Sequence, residues 1–195
     1  MIRKLFILSL CLITFSCKGQ PKQSDKSDFD ETKYEFNTPD DLVKSYVRNL
    51  KNCIPDSILK HCLSKEATLY FVRQTAKLRP DAQNIEQAIQ AIDTQYEESQ
   101  NQYVIATKNI KWNIDKEGID ISKAEIESID YKIEDWYGLK PQIMFAAVTV
   151  KIKYNNKIYT LKLPQLGRLK NKWFILGPEF WWEDNMMPWD MLYKK

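Results

Sequence analysis

Few side chains in this sequence are able to do chemistry, and their spacing argues against most of it. The 195 residues include one histidine, four cysteines and five glycines. His61 stands between Lys60 and Cys62. A Cys–His nucleophile pair requires the two side chains to meet, but successive helical positions point about 100° apart. A zinc centre draws about four ligands from histidine, cysteine and carboxylates, and no second cluster accompanies His61. There is no glycine-rich phosphate loop, no dinucleotide fingerprint and no nucleophile elbow. Composition alone does not exclude a Ser-His-Asp set. No catalytic residue, metal ligand or cofactor is assigned, and His61 is expected to be a surface or half-buried helix residue.

The four cysteines divide by position. Met1 to Lys4 is a short basic segment, and Leu5 to Phe15 (LFILSLCLITF) is an apolar run of eleven residues. A mature membrane span needs about 20 residues, so this length suits the hydrophobic part of a signal peptide instead. Ser16 and Cys17 follow. The stretch Thr14-Phe15-Ser16-Cys17 resembles a bacterial lipobox. In that family the cysteine thiol carries a diacylglycerol, and a peptidase cuts just before it. The resemblance implies a signal peptide over 1–16 and lipid attachment at Cys17. It further implies a membrane as partner through that lipid, in the bacterial cell envelope on the periplasmic side of the outer membrane. The competing reading is an ordinary secretory signal with a chance cysteine. Cys11 lies inside the apolar run. Cys53 and Cys62 remain, and past the inner membrane they either pair as a disulfide or sit as two separately buried thiols.

Residues 17–37 are rich in Lys, Gln, Ser and Asp and read as a flexible tether, because so few apolar side chains cannot offset ordering entropy. Charge excludes one class of partner. Without Arg3 and Lys4, the 29 basic residues fall to 27 against 26 acids. Nucleic-acid binding needs a surplus of cations to displace counterions, so none is expected. The charges nevertheless segregate. Eight acids lie between Asp115 and Asp135, whereas eight basic residues and no acid lie between Trp136 and Pro178. Cross-strand complementarity accounts for this if Asp130 and Glu134 neighbour Lys151 and Lys153. The other reading is a cationic patch for anionic headgroups or polysaccharide.

A block of helices precedes a block of strands. Thr38-Pro39-Asp40-Asp41 has a cap, a first-turn proline and dipole-matched acids, and Leu42, Val43, Tyr46, Val47 and Leu50 share a helical face. Asn52 to Pro55 breaks this helix. A short helix from Pro55 to Leu63 follows, then a third from a Ser64 cap, carrying Leu69, Val72 and Ala76 and stopped at Arg79-Pro80. A fourth, capped by Asp81, carries Ile85, Ala88, Ile89, Ile92 and Tyr96. From Tyr103 the period reads as two: Val104, Ala106, Ile110, Trp112 and Ile114 share a parity, and Asp115 to Gly118 reads as a turn. Ile129, Tyr131 and Ile133 form a second alternating run, and Gly138 to Pro141 a turn. Val148 to Tyr154 form a third. Asn155-Asn156 signals a two-residue hairpin in which paired numbers sum to 311, so Ile152 faces Tyr159 and Val150 faces Leu161. Lys172 to Leu176 supplies a last strand. The expected fold is α+β over 38–179, with N-terminal helices on an antiparallel sheet of about five strands.

DDLVKSYVRNL with SILKHCLSKEATLYF resembles the opening helices of NTF2-like (cystatin-like) lipoproteins, and LKNKWFILGP resembles their closing strand. The resemblance implies a curved sheet around a helix, with a cone that often takes a small molecule. It does not fix a function. An NTF2-like enzyme of isomerase or dehydratase type would need a carboxylate in an apolar cavity, and Asp135 is the one with suitable parity. Residues 180–195 form an aromatic tail expected to pack on the domain, although Trp181, Trp182 and Trp189 are also the residue types that anchor ligands or partners. The leading expectation is a non-enzymatic lipoprotein that binds a small ligand or an envelope protein. The alternatives are the NTF2-like enzyme and a periplasmic lipoprotein conferring immunity to a toxin.

Overall fold

Thr38 has an extended backbone, and its hydroxyl oxygen accepts a hydrogen bond from the Asp41 amide at 3.1 Å. With Pro39 in the first turn, this cap starts helix α1 (Pro39–Asn49), whose buried face is Leu42, Val43, Tyr46 and Val47, continued by Leu50. The break at Asn52 to Pro55 is made by Cys53, whose φ is +47°. Helix α2 (Pro55–Leu59) stops short of Leu63, because the chain turns there and Cys62 forms a parallel bridge with Ile175. Helix α3 (Lys65–Leu78) is capped as expected, the Ser64 hydroxyl accepting from the Ala67 amide at 3.2 Å. The computed structural model describes residues 29–78, 85–134, 143–177, 180–183 and 185–186. Cys17, Asp81, Asp135, the Gly138 to Pro141 turn and Trp189 lie outside them.

The strand expected from Tyr103 is not a strand. Helix α4 runs unbroken from Ile85 to Lys116. Its buried residues in this stretch are Tyr103, Ala106, Thr107, Ile110 and Ile114, which are spaced three and four apart. Steps of four preserve even parity, so Ala106, Ile110 and Ile114 satisfy a helical face and a strand face alike. Trp112 separates the two: it shares that parity yet is 54% exposed. The expected turn is the end of this helix. Gly118 takes a φ of +71°, its amide donates to Asp115 at 2.9 Å, and the Ile119 amide donates to Ile114 at 3.1 Å. This pair of bonds is a Schellman cap with glycine in the left-handed position.

Six antiparallel strands follow among the described residues: β1 (Glu125–Glu134), β2 (Ile143–Tyr154), β3 (Lys157–Leu169), β4 (Lys172–Ile175), β5 (Trp181–Trp182) and β6 (Asn185–Met186). The β2–β3 hairpin has the expected register, with Ile152 opposite Tyr159, Val150 opposite Leu161 and Val148 opposite Leu163. Asn155 and Asn156 take φ values of 49° and 60°, as a type I′ turn requires. Beyond Val148 the register slips, and Ala146 pairs Leu166. The extra residue falls in Pro164-Gln165, where a proline without an amide hydrogen is tolerated. β3 pairs β2 along one edge and β4 then β5 along the other. The Trp173 amide donates to Phe36 and the Ile175 amide to His61, which covers the second edge of β4.

The chain divides into two compact units. Of the described residues, the smaller holds 29–30, 64–78 and 85–96. In it Lys65 pairs with Asp93 at 3.0 Å, Phe29 stacks on Tyr70, and Ala67, Phe71, Val72, Thr75 and Ile92 are buried. The larger holds Glu31–Leu63 and the described residues from Glu97 onward. Its core is shared by α1, the later part of α4 and the inner face of the sheet, so the α+β class with helices against an antiparallel sheet holds. Residues 29–37, part of the expected tether, are structured. Glu31–Lys33 form a 3-10 turn, and Phe29 and Phe36 are buried. Two aromatic side chains supply the apolar area that the polar composition of residues 17–37 conceals.

Candidate functional site

His61 is buried completely, contrary to the surface or half-buried helix position expected of it. It sits just past α2, where four segments converge. Its Nδ1 lies 3.0 Å from the Ile58 carbonyl, and its Nε2 lies 3.1 Å from the Ser45 hydroxyl. A carbonyl only accepts, so Nδ1 carries the hydrogen and Nε2 accepts from Ser45 in the neutral ring. Phe36 stacks on the imidazole at 5.2 Å and 8°, and Tyr46 meets it edge-on at 5.7 Å. Burial pushes the imidazole pKa down to about 4, helped by Lys60 and opposed by the Ile58 carbonyl and Glu35. A ring that is neutral, doubly bonded and closed in by aromatics is a packing element.

The other buried ionisable groups are held the same way. Tyr46 and Thr107 share a hydrogen bond at 3.1 Å, and burial raises the phenol far above its ordinary range. Cys53 and Cys62 are free thiols, not the disulfide considered from sequence. The half-buried Cys53 sulfur donates to the Leu50 carbonyl at 3.3 Å. Cys62 is buried beside Ile175, and burial raises both thiols. The two cysteines thus serve different segments. Among the described residues, no group of three histidine, cysteine or carboxylate side chains is placed to hold a metal. Among the described residues, the carboxylate with a shifted pKa is Asp120, on an exposed turn, pulled down to about 2 by the Ser122 hydroxyl and amide and by Lys123. Asp135 lies outside the described residues.

The start of the aromatic tail is structural. Phe180 is buried against Tyr46 and Tyr103. Trp182 is buried, stacks on Tyr159 at 5.7 Å and 17°, and donates its indole hydrogen to Glu117 at 2.9 Å. Trp181 pairs through its backbone with Lys162 and Met186. Glu183 fixes the turn, because its amide donates to the Thr160 carbonyl and its carboxylate accepts from the Thr160 amide. The sequence shows the apolar content of this tail but not its strand, since Trp181-Trp182 has no room for an alternation.

What faces solvent is therefore the place to look for binding. On the outer face of the sheet Asp130 lies diagonally from Lys151, as expected, but Glu134 pairs Phe145 at the other end of β2, and the acid opposite Lys153 is Glu125, so the expected complementarity holds for Asp130 and not for Glu134. On α4 the exposed residues Ile105, Lys108, Trp112 and Lys116 recur at helical spacing, with the Lys116 ammonium 5.1 Å from the Trp112 ring. This stripe escaped the sequence because a strand reading places Trp112 in the core. Among the described residues no helix is long and apolar enough to cross a membrane. No family model, curated protein or solved structure matches the chain.

Proposed function

We propose that the chain is a bacterial envelope lipoprotein, held to its membrane by lipid on Cys17, whose NTF2-like domain is a non-enzymatic binding module. One observation carries the reading: a basic start, an eleven-residue apolar run and Ser16-Cys17 stand in succession at residues 1–17. Supporting it, the helices-then-sheet order agrees with the NTF2-like resemblance. The buried ionisable side chains His61, Tyr46 and Cys62 are occupied in packing, and exposed apolar groups such as Trp112 are available to a small ligand or an envelope protein. Several acyl chains on one cysteine suffice for stable attachment without a span. Mass spectrometry of protein from the membrane fraction tests this. The expected product begins at Cys17 with added diacylglycerol and acyl mass, and Cys17→Ser releases the protein from the membrane. A Cys17→Ser protein still membrane-bound and cut at the same bond overturns the proposal.

A further inference from the structure

β1 ends the strand order, so among the described residues one of its edges pairs with no strand. Such an edge presents backbone donors and acceptors, and proteins usually blunt it with a bulge, charge or cover. The β1 bulge lies at its start, between Ile126 and Ser128, and residues 128–134 beyond it are regularly paired. The inward face of that stretch is apolar and incompletely covered. Tyr131 stands opposite buried Val148 and Ile133 opposite buried Ala146, yet the two remain 42% and 40% exposed. On the outward face Asp130 and Lys132 are exposed, and the Ser128 hydroxyl donates to the Asp130 carboxylate at 2.9 Å.

The sequence about Tyr131 is complementary to itself: Ile129-Asp130-Tyr131-Lys132-Ile133. An antiparallel pair of two such strands centred on Tyr131 sets Asp130 against Lys132 twice, Ile129 against Ile133 twice, and the two tyrosines together. Apolar side chains then meet on the inner face and opposite charges on the outer. The neighbouring registers fail. Moving the centre to Asp130 opposes two aspartates, and moving it to Lys132 opposes two lysines and sets Asp130 against Glu134. Centres between residues set apolar faces against charged ones.

We propose that this chain self-associates through β1, two copies pairing antiparallel and two-fold symmetric about Tyr131, so that their sheets become continuous. The occupant of the open edge is a second copy because the charge pattern of the strand matches its own reverse. The proposal does not depend on the lipid anchor.

The test is disulfide trapping in the full chain. Facing Cα atoms in an antiparallel pair lie about 4.5–5.5 Å apart, within the range of about 4.4–6.8 Å that a disulfide spans. Tyr131→Cys is expected to give, on mild oxidation, several-fold more covalent dimer than the parent chain, whose own cysteines set the background. Ile129→Cys, which faces Ile133 and not itself, stays at that background. In the Tyr131→Cys chain, Asp130→Lys sets lysine against Lys132 and removes most of the dimer, and adding Lys132→Asp restores it. The charge exchanges lie at exposed positions 130 and 132 and leave the melting midpoint of the Tyr131→Cys chain unchanged. Tyr131→Cys at background, equal trapping at Ile129→Cys, or an exchanged pair that fails to restore the dimer each overturns the proposal.

Discussion

Acidification should destabilise this protein through His61. In the unfolded chain His61 takes up its proton near its ordinary pKa of 6.5, whereas in the folded protein it does so only near about 4. Between those values the unfolded state holds more protons, so stability is complete above the higher value and is lost as pH falls toward the lower. At about 1.4 kcal/mol per tenfold, the whole gap is worth about 3 kcal/mol, of which about 2 kcal/mol falls between pH 7 and pH 4.5. That is a large part of the 5–15 kcal/mol typical of a domain. Asp120 titrates near about 2, below this window, and the raised thiols and phenol titrate above it.

The assay is unusually direct because the chain has one histidine. Its imidazole resonances need no assignment, and their titration in the folded protein should have its midpoint near 4 and stay flat through pH 6.5. Denaturant unfolding at pH 7 and pH 4.5 should show the loss of about 2 kcal/mol. His61→Gln has no proton to gain. Its stability is lower at pH 7 by about 1–3 kcal/mol from the unsatisfied Ser45 and Ile58 groups, and its pH profile is flatter than that of the parent by the same 2 kcal/mol or so. A midpoint near 6.5, or parallel profiles for parent and variant, refutes the burial argument.

Three further outcomes follow from the packing. Trp182→Ala removes a buried indole and should cost about 3–5 kcal/mol in denaturant unfolding, while Trp182→Phe keeps one ring, loses the hydrogen bond to Glu117 and part of the packing, and costs less, about 1–3 kcal/mol. Gly118→Ala meets no atom within 4 Å, so its cost, about 1 kcal/mol by thermal unfolding, is that of the positive φ alone. Trp112→Ala should change stability by less than about 0.5 kcal/mol, whereas Ile110→Ala costs about 2–5 kcal/mol; the reverse order would favour a strand over 103–114.

How much of this was legible from sequence depends on whether the signal is local. α1 carries its cap, its proline and its apolar face within thirteen residues, from Thr38 to Leu50. The β2–β3 register follows from two asparagines and an alternation that agree with each other. α4 misleads because its later core residues fall four apart, and four is a multiple of two. A parity test cannot separate a helix from a strand there. The missing discriminator is a residue such as Thr107 or Tyr103, buried but of odd number. The bulge in β3 was marked by Pro164, a residue without an amide hydrogen in the middle of a strand.

The site is less legible than the fold, and for a different reason. His61 is enclosed by Phe36, Ser45, Tyr46 and Ile58, drawn from the segment before α1, from α1 and from α2. Nothing in Lys60-His61-Cys62 distinguishes that enclosure from a solvated helix turn, because the ring's partners are set by tertiary packing. The same holds for Trp182, whose hydrogen bond reaches back to Glu117 at the end of α4. These side chains, the most reactive or most adhesive types in the sequence, are committed to holding the larger unit together. Among the described residues, the core leaves exposed Trp112 with its lysine neighbours on α4, and one edge of β1 without a strand partner. Both are visible only once the helix and strand assignments are right, since a strand through Trp112 buries it and a covered β1 hides Tyr131.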